Sequence, residues 1–365
     1  MKKICMIVPG FGAKGGIASV VKGYRGSELE QKFNIHYIET YCDGGKAAKL
    51  LKALGAYLCF ARELILFRPD LIHIHSSFGA SFYRKLPFIW LGSLLKIPVV
   101  NHIHGSELER FYQDASPIGK KLKKAALQSC AAVIALTDSW KTRFEDTFAL
   151  QNVAVVKNYG RIIPPSADRE EHTVLFMGFL SRLKGCMDIP EIASYVKREI
   201  PEVRFVLAGS GSGEDVAKIH ELAEQYGVQE NLFFPGWIID GEKDRMLHKA
   251  AVFFLPSYTE GMPMSILEAM GYGLPIVSTN VGGIPQLVQQ EENGYLCQPG
   301  DVQSFADALI RLLQDPQLRE EMGKRSLDIV QTGFSLKAHT DGIERVYEEI
   351  LSPESNKGAN RHAPI

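Results

Sequence analysis

No two cysteines in this chain are spaced as Cys-x-x-Cys. The six present, Cys5, Cys42, Cys59, Cys130, Cys186 and Cys297, are scattered. That spacing excludes the usual zinc sites, and several of the thiols sit in apolar runs, as buried free cysteines in a reducing compartment do. No apolar run approaches the roughly 20 residues of a membrane-spanning helix. The longest, residues 86–95, is bracketed by Lys85 and Lys96. The run after Lys2-Lys3 stops at Pro9-Gly10, short of what a secretory signal needs. A cytoplasmic chain is therefore expected. Short repeats and low-complexity tracts are missing too.

What is present is a chain of 365 residues, 45% hydrophobic and 23% charged. That is too long for one core and ordinary in charge, so two domains are expected. The net charge of −1 conceals an imbalance: residues 1–158 carry +10 and residues 159–365 carry −11. A basic half suits an anionic partner: a phospholipid surface, a lipid-pyrophosphate carrier or nucleic acid. Plain attraction between the two halves is the alternative.

Short β-branched runs alternate with longer amphipathic segments. Strands are expected at 4–8, 35–38, 71–75, 99–104, 132–136 and 153–156, then at 174–177, 203–207, 232–234, 252–255 and 275–278. Helices lie between them, for example at 47–67. This alternation predicts parallel sheets covered by helices on both faces. The expected fold class is α/β: two Rossmann-like doubly wound domains, residues 1–162 and 163–334, facing across a cleft. Ligands of such sheets bind beyond the carboxyl ends of the strands. A last helix, 335–351, is expected to cross back to the first domain, and 352–365 to form a loose tail.

The segment with the most chemistry runs from Pro256 to Pro275: Pro-Ser-Tyr-Thr-Glu260-Gly261-Met262-Pro263-Met264-Ser-Ile-Leu-Glu268-Ala-Met-Gly-Tyr-Gly-Leu-Pro. A strand ends before it, and Pro263 suits the first turn of a helix. Glu260 then precedes the helix, and Glu268 lies about one and a half turns inside. Free N–H groups and the dipole at the helix start attract an anion such as a diphosphate. Carboxylates flanking such a site do not bind phosphate; they accept hydrogen bonds from hydroxyls, as in a sugar and a ribose.

This frame of two glutamates resembles the signature of the retaining GT-B glycosyltransferases of family four, and the likeness runs from Gly15 to about Leu351. The resemblance implies that Glu260 holds the donor sugar hydroxyls and Glu268 the ribose, with Gly261, Met262, Pro263 and Met264 at the diphosphate. Gly15-Gly16-Ile17, after the first strand, resembles the family's glycine loop, and glycine lets backbone approach a phosphate or sugar. Val99-Val-Asn-His102-Ile-His104-Gly105 resembles the strand that presents the active-site histidine. His104 fits that position better than His102 because glycine follows it. His73 and His75, alternating along a strand, read as structural.

Met177-Gly178-Phe179-Leu-Ser-Arg182-Leu-Lys184-Gly185 resembles the diphosphate loop, with one departure. Phe179 stands where the family has arginine. Lys184 is in register, and Arg182 either supplies the second cation or is a solvated loop charge. Gly282-Gly283-Ile284-Pro285 also matches, with Gln286 in place of the common Glu. The glycine cluster at 209–213 does not fit Gly-x-Gly-x-x-Gly.

The resemblance implies transfer of a hexose-type sugar from a nucleoside diphosphate sugar, a UDP sugar being favoured, onto an acceptor hydroxyl with retention. It implies no cofactor and no metal ion, and no Asp-x-Asp stands near an expected strand end. The N-terminal domain would bind the acceptor, a glycan or lipid-linked glycan of surface polysaccharide assembly, and the C-terminal domain the donor. Basic helix 47–67, with Lys46, Lys49, Lys52 and Arg62 beside Leu, Tyr57 and Phe60, is suited to a membrane surface. A peripheral location at the inner face of the cell membrane follows, and no nucleic-acid partner is expected. Two alternatives stand beside this reading: a non-catalytic sugar-nucleotide binder and a nicotinamide-dependent oxidoreductase. The second lacks its glycine fingerprint.

Overall fold

The computed structural model describes residues 1–164 and 168–352. They form two compact units: Met1–Asn158 with the chain from Leu336 onward, and Tyr159–Ser335. The tail expected over 352–365 lies, past Ser352, outside the described residues.

The first unit is built on β1 (Lys3–Val8), β2 (Asn34–Glu39), β3 (Leu71–Ser76), β4 (Val99–Ile103), β5 (Ala132–Ala135) and β6 (Val153–Val155). Their order is β2-β1-β3-β4-β5-β6, and all pairs are parallel. Every residue of β3, β4 and β5 is buried, as expected of parallel strands covered on both faces. The register sets His75 beside His102, so His73, His75 and His102 share a face. The C-terminal helix Leu336–Leu351 supplies His339 and Tyr347 to this unit. Tyr347 Oη lies 2.5 Å from His73 Nδ1, and Tyr24 Oη lies 2.8 Å from His339 Nε2.

The second unit is built on β7 (Thr173–Leu180), β8 (Arg204–Gly211), β9 (Leu232–Phe233), β10 (Val252–Leu255), β11 (Ile276–Thr279) and β12 (Gly294–Cys297). Their order is β12-β11-β10-β7-β8-β9, again all parallel. β7 is longer than its apolar run, because Gly178 to Leu180 pair with Gly209 to Gly211 of β8. A Cβ on Gly209 would fall 1.9 Å from Gly178 O, so these small residues let two strands run close together. β12 was not expected.

Each sheet reverses its strand order at one place, between β1 and β3 in the first and between β7 and β10 in the second. In sheets of this kind, ligands bind beyond the carboxyl ends of the strands at such a reversal. The helix expected at 47–67 spans Lys46–Leu66, and its faces differ from the expectation. Phe60 is buried, Tyr57 is half-buried with its hydroxyl donating to Arg84 O at 2.9 Å, and Lys52 pairs with Glu39 at 2.7 Å. The outward residues are mostly leucines, with Ile65, Lys46 and Arg62 exposed among them.

Candidate functional site

Two loops meet at the switch point of the second sheet. One follows β7 and carries Arg182 and Lys184 on a single 3-10 turn. The other follows β10 and carries Ser257 and Glu260. Tyr258 N donates to Leu183 O at 2.9 Å, so backbone ties the loops together. Across them Lys184 Nζ lies 2.5 Å from Glu260 Oε1. Ser257 Oγ donates to the same oxygen at 2.8 Å. Glu260 is only 6% exposed, so its charge needs these partners. An ammonium has three protons and Lys184 is half-buried, which leaves donors for an incoming anion.

The Gly282-Gly283 loop after β11 braces this carboxylate from behind. Gly283 N donates to Gly261 O at 2.7 Å. Gly282 has φ +57°, and a Cβ there would sit 1.8 Å from Glu260 O. Glycine is required on both counts. Thr279 Oγ1, at the end of β11, donates to Ser257 O at 2.8 Å. Backbone from three adjacent loops thus fixes Glu260.

Helix Met264–Gly271 follows. Pro263 is its N-cap, with extended ψ of 122°, and not part of the first turn as the sequence suggested. Glu268 therefore comes four residues past Met264, about one turn in. Gly261 to Met264 are buried at the helix start, where first-turn N–H groups lack intrahelical partners. Glu268 Oε1 accepts from Lys243 Nζ at 3.0 Å, a partner on helix Asp240–Lys249 that nothing near either residue in sequence marks.

Arg182 stands exposed, and Lys184 rather than Arg182 makes the pair with Glu260. Phe179 is 44% exposed, its ring centroid 5.3 Å from that of Trp237. An aromatic pair occupies the position where a cation was expected.

In the first unit, Gly15 precedes and Gly16 opens helix Gly16–Lys22, in the segment after β1. His104 lies just past β4, and its Nε2 is 2.9 Å from His75 Nδ1. His75, read as structural, thus engages Nε2 of His104. The rings of His73, His75, His102 and His104 stack at 4.2–5.7 Å between centroids, beside His339. Burial holds His73 down at about 3 and His339 at about 4, and drives His75, His102 and His104 well below the usual imidazole range. The stack is neutral at pH 7, and buried Lys85 donates from Nζ to His75 O.

Two six-stranded parallel sheets flanked by helices make the GT-B fold. Both halves match family models, Glycosyltransferase Family 4 over residues 19–159 and Glycosyl transferases group 1 over residues 163–328. The chain belongs to the family-four glycosyltransferases. It is 29% identical over 232 residues to an uncharacterized glycosyltransferase of Haemophilus influenzae, a match that spans 62% of either chain. It is 25% identical over 343 residues to the UDP-Gal:alpha-D-GlcNAc-diphosphoundecaprenol alpha-1,3-galactosyltransferase of Escherichia coli, covering 88% of this chain and 86% of that one. Among solved structures, Anabaena HepE in complex with UDP and glucose shares the fold, with TM-score 0.74 and 19% identity over 95% of this chain and 100% of that one.

Proposed function

We propose that this protein moves a hexose from a nucleoside diphosphate sugar, UDP being the favoured nucleotide, to a hydroxyl of a lipid-linked glycan, with retention. The observation that carries the reading is the Lys184–Glu260–Ser257 cluster at the switch point of the second sheet, beside the start of helix Met264–Gly271. Lys184 and the helix start stabilise the departing diphosphate, the main electrostatic task of the step. Glu260 accepts from the sugar hydroxyls and Glu268 from the ribose. The bond from the anomeric carbon to the phosphate oxygen breaks, and a bond to the acceptor oxygen forms on the same face. The acceptor proton passes to the leaving diphosphate, and no metal ion takes part.

His104 belongs to the acceptor side, as a neutral imidazole in contact with His75. The Escherichia coli relative is named for a UDP-linked donor and a diphosphoundecaprenol-linked acceptor, which supports both substrate classes. We place the reaction in surface polysaccharide assembly, at the inner face of the cell membrane, with the basic unit toward the lipid. Phe179 beside Trp237 favours a second reading, a sugar-nucleotide binder without turnover.

Incubation with UDP-glucose, UDP-galactose and UDP-N-acetylglucosamine separates the two. An anomeric proton coupling in the glycoside that matches the donor's configuration is expected by NMR. Inverted product would overturn retention. Donor bound with neither transfer nor hydrolysis would favour the second reading.

A further inference from the structure

Three adjacent helices of the first unit carry an apolar face open to solvent. Helix Lys46–Leu66 turns Ala53, Ala56 and Phe60 inward and leaves Leu51, Leu54, Leu58 and Ile65 outside. Leu51, Leu58 and Ile65 are 69%, 75% and 68% exposed. Spacings of three, four and seven put them on one stripe of a helix about 30 Å long. Helix Ala80–Leu94, packed alongside, adds exposed Trp90 and Leu94, and helix Pro117–Gln128 beyond it adds Ile118 and Leu122. Single exposed leucines are ordinary, but a face shared by three neighbouring helices marks an interaction surface.

Charge identifies the occupant. The three helices hold ten Lys and Arg against one acid, Glu63. Lys85 and Lys123 are consumed inside, donating to His75 O and Phe111 O, and Lys52 pairs with Glu39. Arg62, on the leucine stripe, and Lys121 stay exposed, as does Lys46 at the helix start; Lys120 and Lys124 are partly so, while Lys49 lies on the inward side over the Tyr41 ring. A second copy of the chain would set cation against cation on this face. An anionic lipid surface matches the cations and takes the leucines into the boundary between headgroups and acyl chains. No helix among the described residues is long and apolar enough to cross a membrane, so the contact lies on the bilayer and does not span it.

We propose that this face docks flat on an anionic phospholipid bilayer, with Leu51, Leu54, Leu58, Ile65 and Leu94 entering the headgroup region. The proposal deepens the membrane half of the reading above, and its assay needs no sugar donor. The full chain is floated with vesicles of phosphatidylcholine alone or mixed with phosphatidylglycerol. It should float with the mixed vesicles, and less so as salt rises. Leu51→Ser/Leu58→Ser should weaken partitioning on the order of tenfold or more, and Arg62→Glu/Lys121→Glu at least about 25-fold, at about fivefold per surface cation removed. Both pairs change side chains outside the core, so thermal midpoints should stay at the wild-type value.

Wild-type protein that stays at the bottom, floats equally with neutral vesicles, or floats undiminished in both variants overturns the proposal. So does a dimer that the leucine changes dissolve in the absence of lipid. Sugar transfer to a vesicle-held acceptor without flotation would sink the docking face and leave the donor reading intact. Flotation with no sugar transfer would do the reverse.

Discussion

Lys184→Met is expected to lower turnover at saturating donor by about 10²–10³-fold, the usual effect of removing one preorganised donor from a developing oxyanion. The expectation follows from where the ammonium is held. It bridges the loops after β7 and β10 through Glu260 at 2.5 Å, so it is fixed before any substrate arrives. Its remaining protons are available to a diphosphate at the helix start in the proposed reaction. Methionine keeps the length of the side chain and removes the charge. Glu260 is then left with Ser257 as its side-chain partner at 2.8 Å, and loss of one charged hydrogen bond costs about 1.5–3 kcal/mol. That figure is an upper range, because Lys184 is 29% exposed and partly screened. Stability should fall modestly and turnover steeply. A variant with wild-type turnover in a donor-saturated assay would remove Lys184 from the chemistry.

Acid should destabilise the first unit well before its carboxylates titrate. The unfolded histidines take protons near pH 6.5, while His73 stays neutral down to about 3 and His339 down to about 4. Folded-state values below unfolded ones mean that the unfolded chain binds more protons as pH falls. Stability is therefore full above pH 6.5 and declines below it, at up to about 1.4 kcal/mol per pH unit for each buried histidine. The decline ends where the folded groups themselves protonate. By pH 5, His73 and His339 alone account for about 4 kcal/mol, and His75, His102 and His104 act in the same direction. Trp90 and Trp140 report on this unit and Trp237 on the other. Urea unfolding of Trp237→Phe by fluorescence, between pH 7 and pH 5, isolates the effect. A midpoint independent of pH over that interval would show that these imidazoles are not held neutral.

Much of this was legible before the fold was known, for identifiable reasons. Strands β1, β5 and β10 are nearly continuous apolar runs, as buried parallel strands tend to be, and β3 and β4 break theirs only with histidine, asparagine or a final serine. β12, Gly-Tyr-Leu-Cys, carries no such run and is held by pairing with β11, a contact no local pattern encodes. The cluster at 209–213 did not fit a dinucleotide fingerprint, and its place in the fold says why. It is the end of β8 and the start of helix Gly213–Gln225, with glycine at 209 and 211 because β7 passes close by. The two glutamates were legible because the Pro-Ser…Glu-Gly-x-Pro frame lies within one loop and one helix turn. Their partners were not, since Lys184 is 76 residues from Glu260 and Lys243 is 25 from Glu268. His75 was read as scaffold because alternation along a strand shows only that a side chain faces one side. Its contact with His104 depends on the β3–β4 register, which sequence alone does not set. The leucines outside helix Lys46–Leu66 were hidden in the same way: its apolar residues spread over more than one side, so the inner face is set only when it packs.

The ribose and diphosphate assignments meet in a single experiment, ligand-induced thermal shift with UDP, GDP, ADP, CMP and NAD on wild type and Glu268→Ala. Glu268 is partly exposed and pairs with Lys243, itself partly exposed, so the substitution leaves the fold in place. One nucleoside diphosphate, UDP being favoured, should stabilise the wild type by roughly 2.7 kcal/mol at 100 times its Kd, and the variant should lose most of that response. Stabilisation by NAD alone, or an undiminished response in Glu268→Ala, would contradict a sugar-nucleotide site at the start of helix Met264–Gly271.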